Sequence, residues 1–102
     1  MKSILYSPVF SEKIELLLSR LKIQFGENVC KKKIKELYDA INLLSLNEHM
    51  GISVREVYGV DCDFYCIYAV HNYVFYKIEL SSINILDIYD EREDFMKKMF
   101  GI

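Results

Sequence analysis

The chain has 102 residues, 52% of them hydrophobic, so it is long enough and apolar enough for one packed domain and lacks the composition of a disordered chain. Its 13 basic and 15 acidic residues give a formal charge of −2, which argues against autonomous RNA or DNA binding because that function normally requires a basic excess. No apolar run approaches the roughly 18 residues of a membrane span, and Met1–Tyr6 is too short for a signal peptide, so we predict a single cytoplasmic domain over residues 1–102 with no membrane partner.

The first predicted elements are a short strand and an amphipathic helix. The apolar-biased stretch Lys2–Tyr6 stops at Ser7 and Pro8, which suit the N-cap and the first helical position. Large apolar residues then recur at spacings of three and four, as expected for one buried helix face: Ile14, Leu17, Leu18, Leu21 and Phe25. Gly26 follows, and a glycine here favours the left-handed conformation that ends a helix.

A second helix is predicted to begin near Glu27. Its apolar stripe comprises Cys30, Ile34, Leu37, Ile41 and Leu44. Because the link between the two helices is so short, we expect an antiparallel hairpin that lays both apolar faces on a sheet. This helix also carries the densest positive cluster of the chain: Lys31, Lys32, Lys33 and Lys35. Such a run is usually a solvated face, and the alternative is a mark of an acidic protein or nucleic-acid partner.

The remaining chain is predicted to be mostly strands. Leu46–Ile52 breaks both periodicities and is expected to be a loop, whereas Ser53–Tyr58 alternates as a strand or its irregular lead-in. Phe64–Val70 is a predicted strand, and His71-Asn72 a tight reversal. Two longer strands, Asn72–Leu80 and Ile83–Phe95, are expected to form a hairpin around Ser81-Ser82. The sequence therefore predicts an α+β fold, in which an N-terminal strand and a helical hairpin pack on a twisted, mainly antiparallel sheet of about four strands.

Alternation divides the hairpin into two faces. The more apolar face is assigned to the helices and contains Val74, Tyr76, Ile78 and Leu80. The opposite face mixes aromatic and charged residues, as partner-binding surfaces do: Tyr73, Phe75, Lys77 and Glu79. The tail residues Phe95, Met96, Met99 and Phe100 either close the core or anchor a partner.

No self-contained catalytic or metal motif is present. Three cysteines, Cys30, Cys62 and Cys66, are an odd number and are expected to be reduced, with Cys66 a small buried hydrophobe. Cys62 and Cys66 with His71 lack a fourth ligand for zinc, so we predict no metal and no cofactor. His71 and His49 are expected to be exposed and without a role in catalysis.

The remaining candidate functional side chains are Arg55, Lys77, Tyr89 and Arg92. Arg92 follows the last strand, where its guanidinium can clamp a phosphate or a carboxylate in bidentate fashion. The alternative is a surface ion pair with a neighbouring carboxylate, worth under about 1 kcal/mol. The neighbours considered are Glu91, Glu93 and Asp94.

The C-terminal half combines an aromatic and aliphatic strand, a short turn, an Ile-rich strand and a charged tail. The residues of this pattern are Tyr73, Phe75, Tyr76, Lys77, Ile78, Ile85, Leu86, Ile88, Arg92, Asp94 and Phe95, with the ending Phe100-Gly101-Ile102. The pattern resembles the RelE/ParE toxins of bacterial type II toxin–antitoxin systems. The predicted element order agrees, so the resemblance spans nearly the whole chain. It implies a RelE/ParE-like fold, growth inhibition, and a cognate antitoxin that folds as it binds. The predicted partner-binding residues are Tyr73, Phe75, Lys77, Arg55, Arg92 and Phe95.

The resemblance leaves two cellular targets open. A RelE-like protein would cleave mRNA on the ribosome, with Lys77, Tyr89 and Arg92 as the catalytic residues by motif position. Asp87 and Tyr65 stand where that branch often has arginine, and an odd-numbered hairpin loop would place Asp87 opposite Lys77 and neutralise it. A ParE-like protein instead poisons DNA gyrase and needs no catalytic base, which we favour slightly. A third reading is a non-toxic interaction module of the same fold.

Overall fold

The computed structural model describes all residues, 1–102, and contains five strands and four α-helices. In chain order they are β1 (Ser3–Tyr6), α1 (Pro8–Phe25), α2 (Glu27–Asn42), a 3-10 turn (Leu43–Ser45), β2 (Ile52–Ser53), α3 (Val54–Tyr58), β3 (Phe64–Ala69), β4 (Asn72–Ile78), β5 (Ser82–Asp90) and α4 (Phe95–Phe100). The sheet order is β1-β5-β4-β3-β2, and only the β1–β5 pair is parallel. The predicted α+β architecture is confirmed, with five strands where about four were expected. None of the helices combines the length and the apolar character of a transmembrane span.

The helical hairpin forms for the local reasons that the sequence indicates. The Ser7 hydroxyl accepts a hydrogen bond from the backbone N–H of Phe10 at 3.0 Å, and Pro8 occupies the first turn. Gly26 has a φ of +86°, a conformation that disfavours side chains, and it separates α1 from α2. The predicted stripes supply most of the helix side of the core. Phe25 is the exception, because half of its surface is exposed, and Phe10 takes a fully buried place that the pattern did not predict.

A β-bulge in β5 changes which residues face the helices. Phe75 of β4 is opposite Asp87, but the next residue, Tyr76, is opposite Ile85, so Leu86 is an extra residue. Ile85 and Ile88 therefore both point into the helix-side core, although their spacing of three does not fit a regular strand. The shift also places Lys77 opposite Asn84. The loop between the paired residues Ile78 and Ile83 has four residues, so the condition for a confrontation of Lys77 with Asp87, an odd-numbered loop, is not met, and Asp87 is opposite Phe75 instead.

The segment after the 3-10 turn departs from the predicted strand over Ser53–Tyr58. Only Ile52–Ser53 is a strand, and Val54–Tyr58 is helix α3. The Ser53 hydroxyl accepts a hydrogen bond from the backbone N–H of Glu56 at 3.3 Å, and Gly59 ends the helix with a φ of +71°. Ser53-x-x-Glu56 has the spacing of a capping box, which is a sequence signal for the start of a helix. The strand prediction followed the alternation of apolar residues instead.

Two short helices cover the sheet face opposite α1 and α2. β5 ends at Asp90, short of the predicted Phe95, and α4 begins at Phe95. A second core cluster forms there from Val54, Cys66, Phe75, Tyr89 and Phe95. Phe75 is 0% and Phe95 is 8% exposed, so neither lies on the accessible face where a partner was predicted to bind. For Phe95 the alternative prediction, that the tail closes the core, is confirmed. Leu80 was assigned to the core and is instead 97% exposed, because β4 ends at Ile78.

Candidate functional site

Arg92 is held by a carboxylate that the sequence did not indicate. The backbone N–H and the Nε–H of Arg92 both donate to Oδ1 of Asp90, each at 2.9 Å. Nη2 of Arg20, on α1, lies 3.5 Å from Oδ2 of the same carboxylate. The hydrogen bond from Arg92 holds the pKa of Asp90 below its ordinary value. Arg92 therefore forms an ion pair, as the alternative prediction stated. Its partner, however, is Asp90 and not Glu91, Glu93 or Asp94.

These residues form part of a cleft of about 280 Å³ at one end of the helical hairpin. We name it the Arg92 cleft. Its apolar lining consists of Leu17, Leu21, Phe25, Ile34, Leu37 and Val70, and its polar lining of Arg20, Gln24, Lys33, His71, Asn72, Asp90, Glu91 and Arg92. Arg92 keeps 76% of its side chain exposed, whereas Asp90 keeps 13%. Asp90 thus holds the guanidinium of Arg92 through its Nε–H, and the rest of the group remains accessible from the cleft.

The β3–β4 turn makes one wall of this cleft. Val70 and His71 have positive φ values of 50° and 63°, a tight hairpin geometry that a β-branched residue such as Val70 rarely adopts. His71 Nδ1 lies 3.0 Å from Oε1 of Glu91, and the hydroxyl of Tyr68 donates to the other oxygen of that carboxylate. The backbone N–H of Glu91 also donates to the carbonyl of His71. The turn is therefore tied to the segment that carries Arg92, and His71 is exposed, as predicted.

The three residues predicted to be catalytic do not converge. Lys77 Nζ lies 3.4 Å from Glu79 and 3.6 Å from Asp63. Tyr89 lies five residues beyond the strand partner of Lys77, which is about 16 Å along β5 at about 3.3 Å per residue. Arg92 lines the cleft on the helix side of the sheet, whereas Tyr89 belongs to the core on the other side. No single phosphate can contact all three side chains in this arrangement.

Tyr89 is unsuited to proton transfer near neutral pH. It is 7% exposed, and its burial, together with the nearby carboxylate of Asp87, raises the pKa of its hydroxyl to about 12. Lys13 Nζ lies 3.9 Å from the centroid of its ring and 2.6 Å from Oδ1 of Asp87. Lys13 therefore neutralises Asp87, the carboxylate that was expected to neutralise Lys77.

The remaining predicted partner-binding residues lie on the other side of the sheet from Arg92. Arg55 is exposed on α3, where it pairs with Asp61 at 3.1 Å and its Nε–H donates to the carbonyl of Cys62 at 3.0 Å. Tyr73 is partly buried, with its ring 5.1 Å from that of Phe95. The single predicted surface is therefore divided by the sheet, and only Arg92 belongs to the cleft.

The thiols contribute no reactive group to this site. Cys30 and Cys66 are buried, and burial raises the pKa of the Cys66 thiol to about 12, so Cys66 is a buried hydrophobe, as predicted. No group of three or more His, Cys, Asp and Glu side chains is close enough to hold a metal ion.

The backbone is similar to a solved chain described as part of a chromosomal ParDE TA system from P. aeruginosa. The two superpose with a TM-score of 0.73 over 88% of this chain and 96% of that one, at 11% sequence identity. No protein-family model matches the sequence, and no curated protein matches it. The architecture is therefore ParE-like, which confirms the RelE/ParE-like fold predicted from the C-terminal residues. At 11% identity the similarity shows the fold alone.

Proposed function

We propose that this chain is the toxin of a type II toxin–antitoxin pair and that it arrests growth by binding a cellular target, with DNA gyrase favoured, without cutting RNA. One observation carries the choice between the two mechanisms. Lys77, Tyr89 and Arg92 do not lie at one place. Lys77 pairs with two carboxylates, Tyr89 is buried, and Arg92 pairs with Asp90. Cleavage through a 2′-hydroxyl needs a base and charge-stabilising groups at one phosphate. Inhibition by binding needs only an accessible, structured surface.

The charge of the chain supports a protein target over a nucleic acid. The formal charge is −2, and the acidic residues outnumber the basic ones by two, 15 against 13. Electrostatic attraction to phosphate supplies most non-specific nucleic-acid affinity, and it would be weak here. Local surfaces such as the Arg92 cleft can still attract an acidic protein segment. The proposed neutralising partner is a cognate antitoxin, and we expect its gene to overlap or adjoin the gene for this chain.

The first test is controlled expression in a bacterial host from a tightly repressed promoter. We expect colony-forming units to fall after induction, a DNA-damage reporter to respond, and the purified protein to inhibit supercoiling of relaxed plasmid by gyrase. Co-expression of the small protein encoded beside this chain should restore growth. The same cultures supply mRNA for mapping of 5′ ends.

Two results would reject this proposal in different ways. Growth arrest with normal gyrase activity and with mRNA cut at codon boundaries would favour the RelE-like mechanism, in which Arg92→Ala should abolish the cuts. Undisturbed growth at high protein levels would favour the non-toxic interaction module.

A further inference from the structure

The first strand, β1, forms an open edge of the sheet. It pairs with β5 on one side, and no strand lies on its other side. The backbone N–H groups of Ser3 and Ser7 donate to carbonyls of the neighbouring β5 segment, so these residues point toward β5. Because backbone groups alternate along a strand, the N–H and C=O groups of Ile4 and Tyr6 point away from it. β1 therefore presents two donors and two acceptors at this edge.

These four backbone groups have no partner within the molecule. Neither Ile4 nor Tyr6 makes a backbone hydrogen bond outside the sheet, and no side chain bonds to the backbone of either residue. Lys2 shows the contrast, because its outward N–H donates to the carbonyl of Ser45 at 3.3 Å. The strand itself carries no charged residue, and charge is one of the usual devices that keep a free edge from pairing. The edge is therefore available to another strand.

Exposed apolar side chains surround the edge. Ile4 packs against the helix-side core, so Leu5 points to the opposite sheet face, where about half of its surface is exposed. Val9, at the start of α1, is also about half exposed, and Leu46, directly after the 3-10 turn, is mostly exposed. The hydrogen bond from Lys2 places that turn beside the start of β1. A partner at this edge would therefore remove apolar surface from water in addition to pairing with the strand.

A second copy of the chain fits this edge in one register. In an antiparallel pair, two outward-pointing residues that lie opposite each other exchange two hydrogen bonds. Pairing Ile4 with Tyr6 of the second copy, and Tyr6 with its Ile4, uses all four free groups and places Leu5 opposite Leu5. A shift of two residues in one direction meets Pro8, which has no N–H. A shift in the other direction meets Lys2, whose N–H is already bonded.

We propose that this edge is the interface of a symmetric homodimer, in which two sheets join through β1 into one continuous sheet. The two-fold axis passes between the two Leu5 side chains, which pack on each other on the face away from the helices. The same symmetry brings Val9 of each copy toward the 3-10 turn and Leu46 of the other. A lone extended peptide would form the strand hydrogen bonds but leave Val9 and Leu46 uncovered. The dimer does not depend on the proposed toxin activity.

The interface is small, so we expect a weak dimer. Each copy contributes a strand of four residues and a few partly exposed apolar side chains. A standard stable interface buries about 800 Å² per partner, and this edge offers less. We therefore expect half of the protein to be dimeric at a concentration of roughly 100 µM.

Sedimentation velocity of the full-length protein measures the association directly. The weight-average mass should rise toward that of a dimer between about 10 µM and about 1 mM. Leu5→Lys places two like charges opposite each other at the centre of the interface and should weaken the association about tenfold or more. Ile23→Lys makes the same charge change at an exposed position near the end of α1 and should leave the association within about twofold. A monomeric mass throughout this range, or equal weakening by both variants, would overturn the proposal.

Cross-linking tests the register independently of the charge variants. The background is Cys62→Ser, which removes the one cysteine that is not buried. Opposite residues of this kind have Cα atoms about 4.5 Å apart, so Leu5→Cys should form an intermolecular disulfide under mild oxidation. Ser3→Cys lies on the same face but about 13 Å along the strand from its counterpart, so it should stay monomeric. Cross-linking of Ser3→Cys in place of Leu5→Cys, or of neither variant, would overturn the proposal.

Discussion

On one face of the sheet α1 and α2, with 18 and 16 residues, bury a cluster of 14 residues, whereas on the other face α3 and α4, with 5 and 6 residues, bury a cluster of 5. Helices as short as α3 and α4 are not stable alone, so their structure depends on the few side chains that they bury. The difference teaches that the helix side is the stable framework and that the α3/α4 side is the region expected to open first. Most of the apolar lining of the Arg92 cleft comes from α1 and α2 and belongs to this framework, whereas Arg92 itself lies between β5 and α4.

The largest effect is expected from the two core phenylalanines, one on each side. Phe10 is 0% exposed in the large cluster, and Phe10→Ala should lower the free energy of unfolding by about 3–5 kcal/mol. Phe95→Ala should cost less, about 3 kcal/mol at the lower end of this range, because a short C-terminal helix can shift to fill part of the space. Urea denaturation followed by circular dichroism measures both values.

Hydrogen exchange sharpens the same comparison. Phe95→Ala should speed exchange at the amides of Lys98 and Gly101, whose hydrogen bonds belong to α4, and leave the amides of α1 protected. A larger stability loss for Phe95→Ala than for Phe10→Ala would reverse the proposed order of the two sides.

An intermediate effect is expected at the helix caps. Ser7 caps α1, and its hydroxyl also donates to the carbonyl of Leu86 in β5 at 2.6 Å, so Ser7→Ala should cost about 1–2 kcal/mol. Ser53 caps only the short, exposed helix α3, so Ser53→Ala should cost under about 1 kcal/mol. Ser11, exposed on α1, is the control position, where alanine should be neutral or slightly stabilising. Equal losses for Ser7→Ala and Ser53→Ala would contradict this ranking.

The smallest effect is expected from pH and concerns the cleft. The pKa of Asp90 is held below its ordinary value of 3.8 in the folded protein, mainly by hydrogen bonds from Arg92. A depressed carboxyl pKa stabilises the fold above the unfolded-state value and loses that contribution as pH falls through the folded-state value. The free energy of unfolding should therefore fall less steeply below about pH 4 in Asp90→Asn than in wild type. If the free energy of unfolding falls equally steeply below pH 4 in both proteins, the Asp90 carboxylate does not contribute to stability in this way.

Much of the helix side could be predicted because its determinants lie close together in the chain. The Ser7-Pro8 start, the stripe through Ile14 and Leu17, and the break at Gly26 all depend on spacings within a few turns of helix. The inward face of β4 was predicted for the same reason, since Val74 and Tyr76 alternate regularly and both are fully buried. The C-terminal residues also indicated the ParE-like fold, which the solved ParDE chain bears out.

The candidate site was only partly predictable. Arg92 was singled out because a guanidinium after a strand is a common clamp, but its true partner, Asp90, is shared with Arg20 on the first helix. Nothing in the spacing of these residues indicates that α1 crosses the end of β5. The position of Lys33 in the lining of the cleft is also a result of tertiary packing, because the lysine run alone does not indicate which of its members faces the cleft.

The sequence by itself determined the two long helices, their caps and the class of the fold, because helix and strand periodicities express forces between residues that are near neighbours in the chain. Only the tertiary structure decided the extra residue at Leu86, the closure of Phe75 beneath α4 and the position of Arg92 beside Arg20. Each of these depends on which distant surfaces meet and on how their volumes and charges fit. Such contacts leave no periodic trace along the chain.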